Sequence, residues 1–313
     1  MPANLSDAMH IVGLALLCAA CTDRAAGGEG ESEAESEAEG TLQARIGPIS
    51  INPLEENTRC LVLELDTADE VHVVAIEADL TATTHHLIFY RAASDAPVSA
   101  APVPCDPFEG VLDGDAPLFI AQSAGQRIDL PTGVALRLEA RQKVRIEMHY
   151  VNADAGSKDE ATGTVRLHTV PPDDVDHTAD LLFYGTAAFE LPPGQVTQVG
   201  PDFWPVPSGA DVFAMTGHTH RLGTDVLIER ASAEGGPGVA LYDHDAWNWE
   251  EPPLDVWDPP LLFAPGEGLR WTCTYDNWTG STVPFGESAF EEMCFLWAYY
   301  FPADDGFQAH VAF

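Results

Sequence analysis

The chain has 313 residues, 45% hydrophobic and 20% charged, with 50 acidic against 14 basic side chains and a formal net charge of −36. At about 100–200 residues per domain, such a chain buries real cores and divides into about two domains. Its charge excludes nucleic acid as the expected partner, because phosphate binding needs clustered Lys and Arg.

Residues Met9 to Ala20 (MHIVGLALLCAA) form a short apolar stretch ending at Cys21. Small residues before a cysteine predict export with lipid on Cys21, although the leading segment lacks the usual Lys or Arg; a plain secretory peptide is the other reading. We therefore expect residues 1–21 to be a signal or lipoprotein-type peptide. The protein is then exported, either secreted or held at the cell envelope (outer membrane or periplasm), and touches a membrane only through that anchor. Residues 25–40, AAGGEGESEAESEAEG, carry six Glu and no large apolar side chain. They cannot bury a core and predict an extended acidic tether over 22–46. The folded part is expected to begin near Gly47.

From there strand signals recur, while helical periodicity is hard to find. The first half offers CLVLEL (60–65), EVHVVAI (70–76), HHLIFY (85–90), GVALRLEA (133–140) and KVRIEMHYV (143–151). The last alternates cleanly, with Val144, Ile146, Met148 and Tyr150 on one face and Arg145, Glu147 and His149 on the other. After a linker-like VPPDDVDHT (170–178), the second half offers DLLFYG, DVFAMTGHTH, TDVLIER, GLRWTCTY and EMCFLWAYY. Short strands between Gly/Pro turns predict an all-β protein of two β-sandwiches, over 47–172 and 173–313.

Four cysteines lie in these halves: Cys60, Cys105, Cys273 and Cys294. In an exported chain they predict disulfides, with three connectivities open. Eleven histidines stand out among so few basic residues. His218 and His220, as an i, i+2 pair on a strand, leave the same face about 7 Å apart and can converge on one metal; a wet strand face is the other reading. His85 and His86 are adjacent and point to opposite faces, so they share a metal only if the backbone bends there. Met293, in an aromatic strand, reads as core filler, or beside two imidazoles as a soft ligand suited to Cu(I).

Taken in order, His-His at 85–86, E-M-H-Y-V-N at 147–152, H-T-H-R-L-G at 218–223, C-T-Y-D-N at 273–277 and E-M-C at 292–294 resemble the copper type II, ascorbate-dependent monooxygenases. That family contains dopamine β-monooxygenase and peptidylglycine α-hydroxylating monooxygenase. The resemblance spans roughly residues 45–313. It implies two tandem antiparallel, jelly-roll-like sandwiches facing across a solvent-filled cleft, with disulfides Cys60–Cys105 and Cys273–Cys294. It implies two copper ions, one held by His85, His86 and His149 for electron transfer. The other, held by His218, His220 and Met293, binds oxygen and substrate. The amidating enzymes of the family carry an Arg two residues before H-T-H and an Asn after E-M-C. Here Thr216 and Phe295 stand in those places, which brings the chain nearer the monoamine branch.

The expected activity is therefore hydroxylation of an aliphatic C–H bond in a small organic substrate, with O2 and ascorbate or a similar reductant. The competing expectation is a copper-binding, metal-scavenging lipoprotein that uses the same ligands without turnover.

Overall fold

The computed structural model describes residues 40–313 apart from Glu287 and Ala289. The expected signal peptide with its Cys21, and residues 22–39 of the expected tether, lie outside the described residues. The first strand, Gly40–Ile51, begins seven residues before the expected Gly47. Its alternation explains the earlier start: Ala44 and Ile46 turn inward while Gln43 and Arg45 face solvent, and the strand pairs antiparallel with Asp159–Val170.

Among the described residues the fold is all-β, with 58% strand against 2% helix. A ten-stranded sheet runs through it in the order Gly40–Ile51, Asp159–Val170, Val71–Leu80, Val134–Leu138, His177–Thr186, Cys294–Phe301, Asp211–His218, Asp255–Leu262. Two short strands join at its sides. A five-stranded sheet contains Glu56–Glu64, Lys143–Val151, Thr84–Arg91 and Ala116–Ala121. A four-stranded sheet contains Gln195–Pro205, Gly268–Asn277, Gly223–Ala231 and Val239–Tyr242.

The expected boundary at 172/173 falls in a short connection, and the long sheet continues across it. Val134–Leu136 and His177–Ala179 pair in parallel there. Three second-half strands of that sheet, His177–Thr186, Cys294–Phe301 and Asp211–His218, are buried on both sides, as their near-continuous apolar runs require, while Asp255–Leu262 at the edge is largely exposed. Phe183, Phe213, Phe295, Trp297 and Tyr299 join the core built on the five-stranded sheet. Leu182, Tyr184, Val212, Leu296, Ala298 and Tyr300 face the other way, into the core under the four-stranded sheet.

Both disulfides implied by the resemblance form, Cys60–Cys105 and Cys273–Cys294. The second joins Gly268–Asn277 to the start of Cys294–Phe301, so it staples the two sheets of the second half together. Asn277, within a glycosylation-like Asn-Trp-Thr, is buried and donates its amide to Leu191 O and Ser281 O; this amide is committed to the fold.

Candidate metal centre

Strand alternation alone would send His85 and His86 to opposite faces. The structure resolves this with a β-bulge. In the pairing of Thr84–Arg91 with Lys143–Val151 the register slips between Thr84 and His86, so that Thr84 faces Tyr150 and His86 faces His149. The extra residue, His85, is thereby swung toward the same side as its neighbour. The two Nδ1 atoms stand 3.2 Å apart. Two ligands about 2 Å from one ion at a tetrahedral angle would be separated by about 3.3 Å. His149 completes the group, its ring 5.0 Å from His86 and 5.4 Å from His85, and the three ligand atoms lie within 4.8 Å of one another.

His149 gives Nε2 to Glu56 Oε1 at 3.0 Å. A carboxylate accepts, so that nitrogen carries the proton and Nδ1 keeps its lone pair. That Nδ1 is buried with no hydrogen-bond partner among the described residues. Nε2 of His85 and of His86 are likewise buried without a partner. Trp249 stacks on His85 at 5.4 Å.

His218 and His220 differ from expectation. The strand Asp211–His218 ends at His218 and the chain then turns, so the pair is not an i, i+2 strand pair. The ring centroids are 5.2 Å apart and perpendicular. Glu292 holds this turn: its buried carboxylate accepts the N–H groups of His220 (2.9 Å) and Leu222 (2.7 Å). His220 Nδ1 donates to the carbonyl of Glu291 at 3.0 Å. Residues 291–292 are thus tied to the His220 turn, and Met293 follows directly. Tyr275 fixes the Met293 carbonyl at 2.6 Å. The Met293 side chain is buried and lines a cavity of about 250 Å³ with Phe108, Phe183, Phe285 and Phe295.

Burial sets the charge state of these rings. It pushes His85 down to about 3 and His220 down to about 4, and it drives His86 and His218 well below the usual imidazole range. All four are neutral at pH 7, as ligation requires. Burial also raises Glu147 and Glu292 to about 7.

The two histidine sets stand close together. His86 and His218 lie 6.1 Å apart and His85 and His220 6.5 Å apart, each pair edge to face. Where the resemblance implies a solvent-filled cleft, imidazoles from both halves meet. Phe108 draws the halves together by packing on Phe183 and Phe295, and Arg91 adds an ion pair to Asp180 at 3.1 Å. A cavity of about 580 Å³ beside His149 is lined by Glu56, Asp106 and Glu291 among others.

The donor set fits a soft-to-borderline metal. It offers imidazoles, a thioether residue and ring nitrogens that are buried without partners among the described residues, a set unlike the all-oxygen shells of Mg or Ca. Sequence reading missed Glu56 and Gln122, whose partners are distant in the chain, and it did not single out Glu292, although E-M-C contains it.

Residues 204–310 match the sequence model of the copper type II ascorbate-dependent monooxygenase C-terminal domain. Tyramine beta-hydroxylase of Caenorhabditis briggsae is 26% identical over 217 residues, covering 61% of this chain and 33% of that protein. The chain thus aligns with about a third of that relative's length. Among solved structures, the major capsid protein P2 from bacteriophage PM2 is similar over 82% of this chain and 97% of its own, at 9% identity and a TM-score of 0.34. The family model and the tyramine beta-hydroxylase relative both support a likeness to the copper type II ascorbate-dependent monooxygenases, in keeping with the ordered motifs.

Proposed function

We propose that this protein is an exported copper monooxygenase that hydroxylates an aliphatic C–H bond of a small organic substrate. One observation carries the reading: two groups of buried imidazoles, His85 with His86 and His149, and His218 with His220, stand close together and in the motif order of the family. His85, His86 and His149 would hold one copper, and His218, His220 and Met293 the other. When bound, copper supplies one-electron redox chemistry and an open position for O2. The reaction balances as R–H, O2, two electrons and two protons giving R–OH and water, with ascorbate or a similar reductant giving the electrons.

The protein's own groups prepare this chemistry. Glu56 and the Glu291 carbonyl orient His149 and His220. Glu292, the residue directly before Met293, holds the His220 turn. The phenylalanine-lined cavity beside Met293 accepts an apolar group and excludes water. The carboxylates around the cavity beside His149 favour a cation. A substrate with an apolar and a cationic end suits both, and the relative is named for tyramine, which has both. Two disulfides suit an oxidising compartment, and a lipid on Cys21 would tether the enzyme to the envelope.

The test is oxygen uptake by copper-loaded protein with ascorbate and a panel of phenylalkylamines. Uptake coupled to one hydroxylated product per O2 supports the reading. Tight copper binding without substrate-dependent uptake points instead to a copper-binding lipoprotein.

A further inference from the structure

Within the centre, one ligand is prepared by the opposite half of the molecule. Gln122 directly follows the strand Ala116–Ala121 of the five-stranded sheet. His218 ends a strand of the second half, 96 residues away. Both side chains are buried, and Gln122 Oε1 lies 2.6 Å from His218 Nδ1. The Gln122 backbone is fixed in turn: its N–H donates to Gln126 Oε1 at 2.7 Å, and Gln126 Nε2 donates to Ile120 O at 3.3 Å.

A carboxamide oxygen only accepts. At 2.6 Å it requires the proton on Nδ1, since a lone pair there would face another lone pair. Nε2 then carries the lone pair, and it is buried with no partner among the described residues. His220 reaches the same tautomer within its own half, by donating Nδ1 to the Glu291 carbonyl. The two imidazoles of one candidate site are thus set by different means, one from its own half and one across the interface.

We infer that Gln122 is a positioning residue for the His218/His220/Met293 copper, fixing His218 as an Nε2 ligand only when the two halves are docked. The inference rests on His218 being a ligand, as proposed above. Outer partners of ligating histidines change metal affinity by about 10–100-fold when removed. Gln122→Leu, which keeps the bulk and removes the acceptor, should weaken Cu(I) binding at this site by about 10-fold or more. The His85/His86/His149 site should stay within about twofold, because among the described residues the Gln122 side chain hydrogen-bonds His218 and none of those three imidazoles. Gln122→Glu, which keeps the acceptor, should restore the affinity.

The test has two arms on the full chain. Long-range proton–nitrogen NMR of metal-free, 15N-histidine-labelled wild-type protein reads the His218 tautomer directly. A proton on Nδ1 is expected, and a proton on Nε2 would overturn the inference without any variant having to fold. Cu(I) titration against a chromophoric chelator then compares wild type, Gln122→Leu and Gln122→Glu. Selective weakening of one site in the Leu variant, rescued by Glu, supports the inference. Unchanged affinities, or equal weakening of both sites, overturn it. If His218→Ala leaves the wild-type copper count unaltered, it is the functional reading that fails, while the tautomer result still stands.

Discussion

Metal-free protein should lose stability steeply as the pH falls from 6.5 to 4.5, a window in which most globular domains change little. Four histidines drive this. Burial holds His85 at about 3 and His220 at about 4, and holds His86 and His218 well below the usual range. In the unfolded chain each titrates near about 6.5, so each takes up a proton on unfolding within that window. Glu147 and Glu292 act in the opposite sense. They titrate at about 7 when folded and near about 4.3 when unfolded, so each releases a proton on unfolding. Four uptakes against two releases leave a net uptake of about two protons, and stability falls by about 3 kcal/mol per pH unit. Across the window the loss is roughly 5 kcal/mol, comparable to the whole stability of a marginal domain. Above pH 6.5 the histidine contribution is fully present. Urea unfolding of chelator-treated protein, followed by tryptophan fluorescence at half-unit pH steps, measures the slope. Glu147→Gln removes one opposing release and should steepen it to about 4 kcal/mol per pH unit. Stability that stayed level or rose between pH 6.5 and 4.5 would refute the reasoning.

Three further outcomes are expected. Met293→Ile, similar in volume and apolar, should keep the thermal midpoint within a few degrees while abolishing substrate-dependent oxygen uptake, because the soft ligand is gone; near wild-type turnover would remove Met293 from the site. Glu56→Ala should weaken copper at the three-histidine site by about 10–100-fold, measured by chelator competition, with the other site unaffected. Replacing Cys273 and Cys294 by Ser should destabilise the fold by about 3 kcal/mol in the chain-entropy description and release the Met293-side copper first; loss of the three-histidine copper first would contradict the inter-sheet staple as a support of that site.

Much of this centre was legible in the residues, and its failures have identifiable physical causes. The strand Lys143–Val151 reads correctly because its alternation is local, and His149 falls on the polar face as written. His85–His86 was ambiguous because a bulge is a cross-strand event: the slip between Thr84 and His86 exists only against Tyr150 and His149. The His218/His220 spacing pointed to two rings close together, as found, but not to the strand's end at His218, where Glu292, 72 residues from His220, takes the His220 N–H. Glu56 and Gln122 carried no signal at all. Their contacts span 93 and 96 residues, and neither stands in a motif. The closeness of the two histidine sets follows from Phe108, Phe183 and Phe295 packing across the halves, which no periodicity in one strand reveals.

The claim at the centre of this account is that the chain holds two unlike copper sites, one of three imidazoles and one of two imidazoles with a thioether. Copper analysis with X-ray absorption on the Cu(I)-loaded protein tests it most directly. The account predicts two coppers per chain and a sulfur scatterer that disappears in Met293→Ile while nitrogen scattering at the other copper persists. One copper per chain, or a copper environment without sulfur in the unmodified protein, would contradict it.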